Sequence, residues 1–233
     1  MDINCDLGEG RPDEEKLMAL IDSCNIACGG HFGDKKSMTE TLSLSKRMGV
    51  KAGAHPSFVD RENFGRKVID VSLTELKEQI IRQIAELNEL AKSIGVTLHH
   101  VKAHGALYNE AARSEEIGNT LIDAVVFFKQ DLCIFVPYGS KLHKLVKDRQ
   151  IRHWAEVFAD RNYNNKLELI PRDQPNSVIH DPAEVKQKVR KMIEDRTVVA
   201  EEGSELPIDF DTICVHGDHP KALEFLIEIS TLK

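Results

Sequence analysis

Three strand-like stretches of the chain each run into a histidine beside glycine or alanine: Val50 to His55, Leu98 to His104 with Gly105, and Thr212 to His216 with Gly217 and Asp218. Side chains two apart on a strand share a face, so Asn4 and Asp6 point one way, and so do His100, Lys102 and His104. Other strand-like runs also end in polar groups: Asn25 followed by His31, and Glu156 followed by Asp160 and Arg161. Polar side chains at the carboxyl ends of successive strands mark the catalytic face of a parallel α/β protein. The chemistry implied is that of an enzyme whose site is assembled from many strands.

A lysine among apolar neighbours on an interior strand needs an anionic partner, because an ammonium is costly to bury alone. Asp6 and Glu156 are the expected partners of Lys102. Two roles stand side by side for it: a structural ion pair closing the barrel end, or a cation that holds a substrate anion or polarises a carbonyl in a dry site. His55, His104 and His216 have the ring chemistry for proton transfer, and their small neighbours leave room for a ligand. Asp6, His31 and His55 also have the ligand types of a divalent-metal site with one carboxylate and two imidazoles. The loop Cys28 to Asp34 is glycine-rich and leads into a helix capped by Asp34, a place where an anion can bind. It is not a phosphate-binding P-loop, since Gly33-Asp-Lys-Lys-Ser37 breaks the Gly-Lys-Ser/Thr junction. His99, His143, His153, His180 and His219 have no such setting and read as solvated or structural.

The elements that must position these groups alternate along the chain. Strand-like runs near 2–7, 24–28, 50–55, 97–104, 131–136, 153–158 and 211–216 are separated by helical patterns, which predicts βα units around a parallel sheet. The clearest helix has Leu73, Leu76, Ile80, Ile84, Leu87, Ala91 and Ile94 on one face, Ser72 and Glu75 at capping-box spacing, and Gly95 to stop it. A second begins at Asp181-Pro182 and buries Val185, Val189, Met192 and Ile193. A last one starts near Pro220 and buries Leu223, Leu226 and Ile227. Residues 197–208 read as an accessory hairpin with a Gly-Ser turn. Seven parallel strands predict a distorted seven-stranded β/α barrel in one domain, 1–233, with an open doubly wound sheet as the alternative. The polar stretches 56–68 and 160–177 follow strand ends and are candidate active-site loops.

Composition narrows the partners. The chain has 233 residues, 41% hydrophobic and 30% charged, with a formal net charge of −7. That balance describes a globular protein and argues against nucleic acid as the main partner. No apolar run reaches the length of a membrane span, and the start Met1-Asp-Ile-Asn-Cys-Asp6 resembles no signal peptide. The expected setting is cytoplasmic, with Cys5, Cys24, Cys28, Cys133 and Cys214 as reduced core thiols.

Taken together the segments resemble the LamB/YcsF family, identified with the A subunit of the bacterial ATP-dependent 5-oxoprolinase. The resemblance is carried by Asn4-Cys-Asp-Leu-Gly-Glu9, Asn25-Ile-Ala-Cys-Gly29 with His31, Gly53-Ala-His-Pro56, Phe64-Gly-Arg66, His100-Val-Lys102 and His104-Gly-Ala-Leu-Tyr-Asn109. It continues through Glu156 to Arg161, Val178 to Pro182 and Cys214-Val-His-Gly-Asp218. Gly30 stands where the family usually has phenylalanine. The resemblance implies a barrel similar to the glycoside hydrolase/deacetylase folds, and hydrolysis of the 5-oxoproline lactam to glutamate, driven by ATP with partner subunits B and C. It implies Asp6, His55, Lys102 and His104 for chemistry, with Asn4, His31, Arg66, Tyr108, Glu156, Arg161 and His216 lining the pocket. The chain itself carries no recognisable ATP motif, which suits a division of labour in which a partner handles nucleotide. Two other readings remain open at this level: a metal-dependent carbohydrate deacetylase, and a non-catalytic subunit that presents a small acid to its partners.

Overall fold

The computed structural model describes residues 1–233. Six parallel strands come first: β1 (Asp2–Leu7), β2 (Ser23–Ala27), β3 (Lys51–His55), β4 (His100–Val101), β5 (Cys133–Pro137) and β6 (His153–Phe158). After an antiparallel hairpin, β7 (Thr197–Val199) and β8 (Glu205–Pro207), β9 (Thr212–Val215) slots between β6 and β1. The sheet therefore closes as a seven-stranded barrel, and the open-sheet alternative is excluded. Parallel strands need crossovers, and helices supply them on the outside. These are α1 (Glu14–Met18), α2 (Lys35–Met48), α3 (Leu73–Ser93), α4 (Gly105–Arg113), α5 (Glu115–Val126), α6 (Lys141–Asp148), α7 (Pro182–Glu194) and α8 (Ala222–Ser230).

Local chemistry sets the helix ends largely as the sequence predicts. Ser72 Oγ accepts from Glu75 N at 3.2 Å at the start of α3, and Gly95 takes φ +69° just beyond its end. Asp181 caps α7 through the amide of Ala183. Two residues fall outside their predicted faces. Leu73, on the first turn of α3, is 43% exposed. Ile227 of α8 is 48% exposed, because the buried stripe there runs through Ala222, Phe225, Leu226 and Ile229 at three- and four-residue steps.

The fourth strand is shorter than the pattern 97–104 predicts. Only His100 and Val101 pair with both neighbours. Beyond them the chain leaves β5 and follows β3 alone, with Lys102 N and His104 N donating to the carbonyls of Ala54 and Pro56 at 2.9 and 2.8 Å. That path still carries Lys102 and His104 over the mouth of the barrel. Inside, His100 stacks on Phe135 with ring centroids 4.0 Å apart. Gly53 makes room for it, since a Cβ there would lie 2.2 Å from His100 Nε2.

Candidate active site

A cavity of about 820 Å³ opens at the carboxyl ends of the strands. Asp6, His55, Lys102, His104, Arg66, Tyr108, Glu156, Arg161 and His216 line it. Asn4 and His31 do not. Both are buried behind the lining, Asn4 beneath Lys102 and His31 stacked behind His104.

Lys102 occupies the centre. Its Nζ lies 2.9 Å from Glu156 Oε1, 3.1 Å from Asp6 Oδ1, 3.2 Å from Asn4 Oδ1 and 3.0 Å from Cys214 Sγ. Burial works against its charge, but Asp6, Cys214 and Glu156 outweigh that and hold the ammonium well above its ordinary range. Asp6 shows the other side of the pairing. Burial opposes its ionisation, yet Lys102 and His55 hold the carboxyl well below the usual range. Asn25 Nδ2 donates to Asp6 Oδ1 and to Asn4 Oδ1, both at 2.8 Å, and His100 Nε2 donates to Asn25 Oδ1 at 2.7 Å. Asn4 Nδ2 and the Tyr108 hydroxyl donate to the two oxygens of Glu156 at 2.8 and 2.6 Å. Both carboxyl groups are thus oriented and dry, and Asp6 is held ionised. Asp6 Oδ2 is the exception to saturation, facing His55 Nε2 at 3.5 Å.

The imidazoles form a second group beside it. His55 Nδ1 donates to Lys102 O at 2.8 Å, and His104 Nε2 donates to Phe64 O at 2.9 Å. Phe64 is held at φ +55°, a left-handed conformation uncommon for a bulky residue, and this turns its carbonyl toward His104. Burial, with His31 and His55 nearby, pushes His104 well below the ordinary histidine range. Burial and His55 push His31 down to about 2.

The rim residues divide. Arg66 pairs with Asp218 and lies over the Phe64 ring at 5.0 Å. His216 Nδ1 lies 3.0 Å from both oxygens of Asp160. Although burial opposes it, His216 holds Asp160 below the usual carboxylate range. Arg161 touches the cavity, but its guanidinium donates to the carbonyls of Ser177 and Ile170, so it braces the 160–178 loop.

With this geometry in place, comparison with known proteins is decisive. The LamB/YcsF family profile matches residues 1–232. The chain belongs to the LamB/YcsF family. A protein named as the A subunit of 5-oxoprolinase from Syntrophobacter fumaroxidans is 41% identical over 226 residues, 95% of this chain and 89% of that one. One of the same name from Pyrococcus abyssi is 40% identical, over 98% of this chain and 92% of its own. The crystal structure of the lactam utilization protein from Thermus thermophilus superposes with a TM-score of 0.92 at 34% identity, covering 99% of this chain and 94% of that one. A solved structure from Enterococcus faecalis, 10% identical with a TM-score of 0.55, shares the fold alone.

Within this LamB/YcsF barrel, two further expectations from the sequence are corrected and one departure from the family is explained. The metal-type donors that converge are Glu9, His31, His55 and His104, not Asp6 with His31 and His55. Asp6 is engaged by Lys102 and Asn25, while Gly8 at φ +75° turns the chain so that Glu9 lies 3.0 Å from His31 Nε2. The glycine-rich loop does not present a free helix end to an anion, because Asp34 itself accepts from the amides of Lys36 and Ser37. At Gly30 the space of a larger residue is filled by Gln83, whose Oε1 would lie 2.3 Å from a Cβ there. The site also draws on Glu9, Asn25, Asp160 and Phe64; the sequence reads Asn25 and Asp160 only as polar strand ends and gives Glu9 and Phe64 no role of their own. The first three lie at or just beyond strand ends, a signal that points to them; the position of Phe64 depends on a loop conformation that no periodicity reveals.

Proposed function

We propose that this chain is the A subunit of an ATP-dependent 5-oxoprolinase, opening the 5-oxo-L-proline lactam to L-glutamate together with subunits B and C. The observation that supports it best is the dry Asp6–Lys102–Glu156 cluster flanked by His55 and His104 on one cavity floor, in a chain similar along nearly its whole length to proteins named as the 5-oxoprolinase A subunit. Lactam hydrolysis breaks one C–N bond, adds a water oxygen to the carbonyl carbon and returns a proton to the departing nitrogen. Asp6 Oδ2 is the carboxylate oxygen free to take the proton from water. The same carboxyl group can then hand that proton to the departing nitrogen. Lys102 would exchange one of its protein acceptors for the developing oxyanion, stabilising it in a water-poor site.

A five-membered lactam is a stable amide, so activation of its oxygen by ATP is the natural use of the nucleotide, handled with the partner subunits. The deacetylase and non-catalytic readings gain no specific support. The test is 5-oxoproline-dependent ATP hydrolysis and glutamate release by the purified chain, alone and mixed with subunits B and C. The expected result is turnover only in the mixture. Full turnover by the chain alone would remove the partner requirement, and a mixture of B and C equally active without this chain would remove its proposed role.

A further inference from the structure

His55 and His104 face each other with their tautomers already fixed. A carbonyl oxygen can only accept, so the nitrogens on Lys102 O and Phe64 O carry the ring hydrogens. A bare lone pair is left on Nε2 of His55 and another on Nδ1 of His104, and those two atoms lie 3.0 Å apart. Two lone pairs at that distance repel unless a positive species joins them. The species is either a shared proton or a metal ion.

The surroundings favour the ion. His31 stacks on His104 with centroids 3.7 Å apart, and its Nε2 lies 3.0 Å from Glu9 Oε1. His31 is 1% exposed; an ionised Glu9 can only accept, so His31 Nε2 donates to it and the unpartnered Nδ1 is the bare nitrogen. One atom from each of Glu9, His31, His55 and His104 lies within 4.8 Å of the others. Ligands about 2.1 Å from one ion sit about 3.0 to 3.4 Å apart at right or tetrahedral angles; His55 and His104 already stand at 3.0 Å, and Glu9, 3.8 Å from His104, has only to draw in. Charge points the same way. When ionised, Asp6, Glu9 and Glu156 are three buried anions against the single cation Lys102, which leaves two negative charges uncompensated while the imidazoles are neutral.

We propose that Glu9, His55 and His104 form a binding site for one divalent transition-metal cation of the zinc class, which displaces the shared proton, with His31 stacked behind His104 and bonded to Glu9 as an outer partner. Imidazole nitrogens with a single carboxylate suit that class better than magnesium or calcium, which prefer all-oxygen shells. The carbonyls of Lys102 and Phe64 are the outer hydrogen bonds that orient metal-bound histidines. His55 and His104 line the cavity, which gives the ion an entry path. Bound there, it would supply positive charge for polarising an oxygen. The inference stands on geometry and charge and does not depend on the 5-oxoprolinase reading.

The test uses the folded, chelator-stripped chain titrated with Co²⁺ and Zn²⁺. Visible ligand-field absorption, calorimetry and metal content report binding without any turnover. The expected result is one ion per chain, a Co²⁺ spectrum that Zn²⁺ abolishes, and proton release on binding. His104→Gln and Glu9→Gln should each weaken binding by about 100-fold or more, beyond the usual effect of losing an outer-shell partner. His143→Gln, on α6 and outside the cavity lining, should leave affinity unchanged. Absence of stoichiometric binding by the wild-type chain overturns the proposal, as does equal affinity in the folded His104→Gln and Glu9→Gln variants. Because no substrate is involved, failure here is distinguishable from failure of the functional reading.

Discussion

The barrel interior holds two lysine–aspartate pairs, both using β1, and they are built differently. At the amino end, Asp2 accepts from Lys51 at 3.1 Å, Ser23 Oγ at 2.8 Å and Thr212 Oγ1 at 2.7 Å. One cation meets one anion, and the Lys51 side chain is 42% exposed. At the carboxyl end, Lys102 is 3% exposed and faces both Asp6 and Glu156, with Glu9 and the histidines close by. The two networks even touch, since Thr212 also accepts from Asn4 Nδ2 at 2.8 Å. The lower pair is balanced and open to water at its lysine, while the buried Asp2 is satisfied by two hydroxyl donors. The upper one is dry and sets the carboxyls of Asp6 and Glu156, with Glu9 close by, around a single buried ammonium, so its acidic groups outnumber its buried cation. A site meant only for stability has no use for such an imbalance; a site that receives a cation, a proton or a developing charge does.

The largest expected effect tests this contrast at its centre. Lys102→Met keeps much of the side-chain volume and removes the charge. Activity of the assembled complex should fall by about two to three orders of magnitude, the range for losing one oxyanion donor. Stability should also fall by about 3 to 5 kcal/mol, because two buried carboxylates lose their partner. Chemical denaturation and circular dichroism separate the two outcomes. If the variant folds and the complex keeps wild-type turnover, Lys102 is a structural ion pair and the two ends of the barrel are equivalent after all.

Asp6→Asn comes next. It preserves shape and much of the hydrogen bonding with Asn25 while removing the proton acceptor. Turnover should drop by about 100-fold, the lower range for general acid–base catalysis, with little change in KM for 5-oxoproline. A rise in KM at unchanged kcat would instead make Asp6 a binding group.

How much of this contrast is legible in the sequence follows from the kind of information each residue needs. Alternation along a strand is enough to put Asn4 with Asp6 and His100 with Lys102 and His104, and burial cost is enough to send Lys102 to Asp6 and Glu156. Seven strand-like runs separated by helices are enough for a parallel α/β protein and predict a barrel, but its closure over an open sheet rests on β9 pairing with both β6 and β1. Glu9 is different. Its approach to His31 depends on the turn at Gly8, and turn geometry carries no period. The same holds for Phe64, whose carbonyl meets His104 only because of a left-handed residue in a loop. Arg161 sits where a binding arginine is expected, but a loop that must stay folded consumes its donors.

A pH measurement sharpens the picture at the rim. His216 holds Asp160 below the usual carboxylate range, so the folded chain binds a proton there less readily than the unfolded chain. By linkage this pair contributes stability above about pH 3.9, the unfolded value, and loses it as pH falls toward the lower folded value. Asp160→Asn should therefore cost stability at neutral pH and flatten the acid side of the stability profile. An unchanged acid limb would show that the His216 contact does not depend on the charge of Asp160.

The smallest expected effect belongs to the lower pair, and it decides whether the comparison holds. Lys51→Met removes the cation beside Asp2 but leaves the carboxylate its hydrogen bonds from Ser23 and Thr212. Solvent reaches the lysine, so the charge lost is one that water already screens. Exposed pairs of this kind contribute about 0.2 to 1 kcal/mol, and the contact of Lys51 Nζ with the Trp154 ring, 5.4 Å from its centroid, adds little at such exposure. Lys51→Met should thus lower stability by no more than about 1 kcal/mol in denaturant melts and leave turnover of the assembled complex unchanged. A loss of activity approaching that of Lys102→Met would mean that the Thr212–Asn4 link carries the charge state of one end to the other, and that the barrel interior works as a single network.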